Sequence, residues 1–107
     1  MIRLAVAAAA LVLALPASAA IAPTLQVREL APFTVRGAHF AGGERVRLTL
    51  GRAHVIAHAT VTGTFTAVFA GVDLNRCDGY LVTAVGAAGS RAAASARPLA
   101  CASTNPG

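Results

Sequence analysis

Arg45-Val46-Arg47-Leu48-Thr49-Leu50 alternates polar and apolar side chains without a slip. In an extended chain, successive side chains point to opposite faces. This hexamer therefore gives Val46, Leu48 and Leu50 to one side and Arg45, Arg47 and Thr49 to the other. The same period of two runs upstream, where Leu25 and Val27 alternate with Gln26 and Arg28, and Phe33 and Val35 with Thr34 and Arg36. Downstream, Ala57, Ala59 and Val61 alternate with His58, Thr60 and Thr62, and Phe65, Ala67 and Phe69 with Thr64, Thr66 and Val68. Tyr80 to Val85 is apolar on both faces apart from Thr83, which predicts a central strand. Arg91 to Pro98 sets Ala92, Ala94 and Ala96 against Arg91, Ser95 and Arg97.

Turn residues fall between these runs: Ala31-Pro32, Gly42-Gly43, Gly51-Arg52, Gly63, and the Gly86–Gly89 stretch. About seven short strands, spaced by roughly 8–12 residues, predict an all-β antiparallel sandwich. Val46, Leu48, Leu50, Phe65, Phe69, Tyr80 and Val82 are its expected inward side chains. Apolar residues at helical spacing occur only at the N-terminus.

That N-terminus obeys different rules. Met1-Ile2-Arg3 carries one positive charge, Leu4 to Leu15 is continuously apolar, Pro16 breaks the run, and Ala17-Ser18-Ala19 supplies small residues. Together these form the three-part pattern of a secretory signal peptide. The apolar run is shorter than the ~20 residues a bilayer core demands. Residues 1–19 are thus expected to be a cleaved signal, residues 20–102 a single sandwich domain, and residues 103–107 a flexible tail. The expected product is a secreted, extracellular protein with no membrane span after processing.

Of 107 residues, 9 are Lys or Arg and 4 are Asp or Glu, and the net charge is +5. Every cation among the Lys+Arg set is Arg. With abundant Ala, Gly and Val, that usage is the signature of a GC-rich bacterial genome, which accounts for much of the basic balance. A charged fraction of 12% excludes a charge-driven disordered chain or a nucleic-acid-binding arm.

Several stretches carry a resemblance. Val35-Arg36-Gly37-Ala38-His39-Phe40-Ala41-Gly42-Gly43-Glu44-Arg45-Val46 resembles the V-x-G-x-G-F-x-P-G-E-x-V opening of bacterial secreted immunoglobulin-like domains, of the fibronectin type III or IPT-like kind. Thr62-Gly63-Thr64-Phe65 is similar to their x-G-x-F hairpin, and Tyr80 to Ser90 to their late strand and turn. The likeness covers roughly residues 24–100 and implies a seven-stranded immunoglobulin-like sandwich with a binding or structural role. His39 stands where the pattern has Gly, and Gly42 where it has Pro. The chain has no Trp, so the Cys…Trp…Cys core of antibody domains is missing.

Chemistry-bearing residues are sparse. His54 and His58 lie four apart in a strand-like run, a separation of ~13 Å, too far for one zinc ion. No G-x-S-x-G occurs. Asp73, Asn75, Arg76 and Asp78 share one loop, where Asp and Asn ordinarily bond their own backbone. No catalytic residue, metal or cofactor is expected. Arg28, Arg36, Arg45 and Arg47 all leave the apolar faces of early strands. If those strands are neighbours, they form one basic stripe facing a polyanion. Interleaved aromatics for stacking bases are lacking, so no specific nucleic acid is expected.

The expected function is extracellular binding or structure without catalysis, the partner being another extracellular protein or a cell-wall polymer. Two alternatives are a small-molecule carrier resembling neocarzinostatin-type apoproteins, and a secreted inhibitor presenting the Asp73–Gly79 loop. Neocarzinostatin-type carriers normally hold two disulfides, whereas this chain has 2 Cys in all. Cys77 precedes the Tyr80 strand and Cys101 follows the Arg91 strand. An antiparallel hairpin of those two strands brings the thiols together, and export supplies oxidising conditions, so a Cys77–Cys101 disulfide is predicted.

Overall fold

A computed structural model describes residues 21–101; the expected signal (1–19) and tail (103–107) lie outside the described residues. Seven strands form: β1 (Thr24–Leu30), β2 (Phe33–Ala38), β3 (Arg45–Leu50), β4 (Ala53–His58), β5 (Phe65–Phe69), β6 (Tyr80–Gly86) and β7 (Arg91–Ala96). All pairings are antiparallel, and they make two sheets, ordered β1-β2-β5 and β4-β3-β6-β7. The described residues thus form an all-β sandwich without a helix, compatible with an immunoglobulin-like fold.

The inner faces follow the alternation. Val46, Leu48, Phe65, Phe69 and Val82 are buried as expected, with Phe65 inward and Thr66 exposed. Burying each such side chain contributes ~1.5–3 kcal/mol. Leu50 and Tyr80 are half-buried against this core rather than within it. Phe33, Val35 and Phe40 join it, together with Ala59, Ala67 and Ala84. Phe40 lies outside any strand, which is why period two does not mark it as core. Ala67 and Ala84 sit mid-strand, and aromatics sit toward the ends. Phe33 stands edge-on to both Phe69 and Tyr80, and Phe40 edge-on to Phe65.

Two expected runs change where the backbone departs from regular pairing. The Ala57–Val61 alternation stops at β4's end, because the chain turns at Thr60 and leaves Val61 88% exposed. In β1 the register shifts between Val27 and Glu29, so Arg28 is an extra residue in a bulge. Thr34 alternates outward yet is buried, and its hydroxyl donates to the Pro32 carbonyl at 2.9 Å.

Candidate binding face

The outer face of the four-stranded sheet is built one row at a time by strand register. Arg91 on β7 pairs with Val85 on β6, Val85 with Arg47 on β3, and Arg47 with Ile56 on β4. The next row runs Ala93, Thr83, Thr49, His54, and on the other side Arg45 pairs with His58. Adjacent strands are ~4.8 Å apart and alternate residues on one strand ~7 Å, so Arg45, Arg47 and Arg91 form a triangle with sides of about 7 and 10 Å.

Side chains of this row are open to solvent, and Ile56 and Val85 remain 42% and 43% exposed between the arginines. A shallow groove of about 700 Å³ runs across Arg45, Arg47, Thr49, His54, Ile56 and Val85. Among the described residues, no carboxylate shares the face. Glu29 is on β1 in the other sheet, and Asp73 and Asp78 lie in the β5–β6 loop at the far end of the strands. Glu44, next to Arg45, turns inward and is 7% exposed.

Glu44 has its own constellation. One carboxylate oxygen accepts the Ala41 N–H at 2.9 Å and the other the Ala88 N–H at 2.7 Å. The Ser90 hydroxyl and the N–H groups of Ala41, Ala88 and Ser90 hold its pKa below the ordinary glutamate value, against the opposing effect of burial. The carboxylate thus ties the β2–β3 turn to the β6–β7 turn. A Cβ on Gly86 would collide with the Glu44 carboxylate, and one on Gly37, a glycine of the sequence pattern, would collide with the Phe65 ring. The departure at Gly42 also has a local cause: a Cβ there would stand 2.5 Å from the Val61 carbonyl oxygen.

The arginine stripe expected from sequence does not form. β2 and β3 are consecutive in the chain but belong to different sheets, so Arg28 and Arg36 face away from the opposite side of the sandwich to Arg45 and Arg47. Arg28 donates instead to the Gln26 side chain at 3.1 Å. The stripe divides into two faces, and Arg91 joins the pair on the larger one. Arg91, Ile56 and Val85 escaped the sequence reading of this site. The signal for Val85 was present in the two-sided apolarity of Tyr80 to Val85, half of which stays at the surface.

Among the remaining candidates, His54 and His58 are exposed at opposite ends of β4, with Ile56 between them. Loop residues Asn75 and Asp78 act on their own backbone: the Asp78 carboxylate accepts the Asn75 N–H and the Asn75 side chain accepts the Cys77 N–H, both at 2.8 Å. Asp73 and Arg76 are exposed in the same loop. Cys77 and Cys101 are joined, with Cα atoms 5.7 Å apart, within the normal range for a disulfide. The β6–β7 hairpin that brings them together pairs Tyr80 with Ala96. Among the described residues, no helix is long and apolar enough to cross a membrane.

Compared with known proteins, the chain matches no family model, no curated protein and no solved structure.

Proposed function

We propose that this chain is an exported, non-catalytic immunoglobulin-like module of the fibronectin type III or IPT-like kind, whose role is to bind another extracellular molecule. The strand order supports the assignment within the sandwich class. β4 pairs with β3, whereas in the constant-type antibody arrangement the fourth strand stays with the first, second and fifth. The turn pattern supports it too, because its Gly37 and Glu44 have packing roles that the sandwich demands. The signal-like N-terminus and the Cys77–Cys101 bridge suit an oxidising compartment.

The observation that carries the binding role is the outer face of the four-stranded sheet, uncovered among the described residues, with three guanidinium groups and no carboxylate among them. Asp73, Asn75, Arg76 and Asp78 contribute less to this reading, since the loop's own turns occupy Asn75 and Asp78.

The test begins with the exported protein. Its mass should correspond to a chain starting at Ala20 or within three residues of it, with both thiols oxidised. Incubated with envelope fractions and concentrated culture medium of the producing organism, that protein should be retained. Protease treatment of those fractions then separates a protein partner from a cell-wall polymer. A full-length Met1 product in the medium, or an oxidised domain retained by neither fraction, overturns the proposal.

A further inference from the structure

We infer that the outer face of β4-β3-β6-β7 docks an acidic protein segment whose carboxylates are interspersed with aliphatic side chains. The inference rests on the binding-module reading and adds the surface and the chemistry of the partner. Across one row the sheet alternates cation and hydrocarbon: Arg91, Val85, Arg47, Ile56. A partner that satisfies this row must neutralise two arginines whose backbones stand about 10 Å apart and cover the two aliphatic side chains beside them.

Charge decides the sign of the partner. Arg45, Arg47 and Arg91 take part in none of the side-chain hydrogen bonds among the described residues, whereas Arg28 has Gln26. The four acidic residues lie elsewhere: Glu29 on the other sheet, Glu44 inward, and Asp73 and Asp78 at the opposite end. The field over this face is therefore positive and unopposed within the domain, which favours an anionic partner and speeds its encounter. A second copy docked through the same face would set arginines against arginines, and like charges across an interface are costly.

Hydrocarbon decides the class. An anionic sugar or phosphate polymer could neutralise the arginines, but it would leave Ile56 and Val85 wet. A nucleic acid would seek flat aromatic rings on which to stack. Here the four Phe are buried in the core and Tyr80 packs against Phe33. Aliphatic groups set between guanidinium groups match instead an acidic peptide with Val, Ile or Leu between its carboxylates. Thr83 extends the face with a hydroxyl that can bond a peptide backbone, while the Thr49 hydroxyl lies 3.3 Å from the His54 ring.

Amide chemical-shift mapping on the oxidised, processed domain tests this with three probes: a short peptide alternating Glu and Val, an oligoglutamate of equal charge, and a polyphosphate of equal charge. The alternating peptide should shift amides of residues 45–49, 54–58 and 83–91 saturably, and bind several-fold more tightly than either charge-only probe. Arg47→Ala should weaken it by about tenfold. Val85→Ser should remove its advantage over oligoglutamate while leaving oligoglutamate binding unchanged. Both positions are exposed, so unchanged urea midpoints certify that the variants are folded. Equal binding of all three probes, or no saturable shift, overturns the inference. Shifts confined to the 70–79 loop or to the Arg28–Arg36 face also overturn it, while leaving the broader binding-module reading in place.

Discussion

The two ends of the sandwich are closed by different chemistry. At one end the β2–β3, β4–β5 and β6–β7 turns are laced together by hydrogen bonds. Phe40 N–H donates to the Gly63 carbonyl at 3.1 Å, Gly43 N–H to Thr60 at 3.0 Å and Ala59 N–H to Glu44 at 2.9 Å, with the Glu44 carboxylate beneath. At the other end two backbone bonds hold the β5–β6 loop to the β1–β2 turn, Phe33 N–H to Val72 and Leu74 N–H to Leu30, both at 2.8 Å. A disulfide does the rest. Each end has an aromatic cluster, Phe40 with Phe65 at the first and Phe33 with Phe69 and Tyr80 at the second. The core between these clusters is small and includes Ala59, Ala67 and Ala84. The molecule adds one strong device at each, one answering to pH and the other to redox conditions.

The largest effect should come from removing an aromatic. Phe33 is fully buried and touches two other rings, so Phe33→Ala should cost ~3–5 kcal/mol. Phe65→Ala should cost a similar amount at the opposite end, where that ring fills the space Gly37 leaves open. Urea unfolding of the two variants measures whether the ends draw equally on hydrocarbon. A difference well below 1 kcal/mol per variant from wild type would show that the rings do not carry the ends.

Opening the bridge comes next. By the chain-entropy model, the Cys77–Cys101 loop, with a sequence separation of 24, restricts the unfolded state by about 3.5 kcal/mol. The double variant Cys77→Ser, Cys101→Ser should therefore melt lower by roughly 15–25 °C. Hydrogen exchange should show the loss concentrated in residues 70–80 and 96–101, with the amides around Glu44 still protected relative to them. Uniform loss at both ends would mean that the ends are one cooperative unit.

Glu44→Gln breaks the other end. It replaces an ionised acceptor of the Ala41 and Ala88 N–H groups by an amide, and should cost roughly 1–3 kcal/mol at neutral pH. Because folding lowers the Glu44 pKa, its contribution is full above the unfolded-state value and is lost as pH falls through the folded-state value. The gap between wild type and variant should narrow in that acidic window, and urea midpoints at neutral and strongly acidic pH measure it. The disulfide variant should keep its gap from wild type over the same range. A pH-independent Glu44→Gln gap would remove the carboxylate from its assigned role.

How far the sequence discloses this contrast depends on the range of each interaction. Alternation is local, so the seven strands and the inward face of β3 and β5 follow directly from residues such as Val46 and Phe65. The Cys77–Cys101 bridge is legible as well, because a hairpin is the shortest-range pairing of strands. Sheet membership is not local. Nothing in Arg36 or Arg45 says that the chain crosses from one sheet to the other between them, so one expected basic stripe becomes two faces. The inward turn of Glu44 is hidden for the same reason, because it depends on Ala88, a partner far away in sequence. The candidate face was only half visible, since exposed Val85 and buried Val82 look alike until the register of the sheet is known.

The smallest effect sharpens the comparison at the level of a single backbone angle. His39 has φ 65, in the left-handed region, at the hydrogen-bonded end, whereas the positions of that kind at the bridged end, Gly51 and Gly71, are already glycine. A side chain in this region costs ~1–2 kcal/mol against glycine, although glycine gives back part of that by freeing the unfolded chain. His39→Gly should therefore stabilise by about 0.5 kcal/mol. His39→Val should destabilise by ~1 kcal/mol or more, since a β-branched side chain tolerates this angle least. The His39 side chain is exposed, so packing changes little in either variant. Thermal melts of the two should fall on opposite sides of wild type. If both fall below it, the imidazole itself contributes to the turn and the backbone angle is not the dominant cost there.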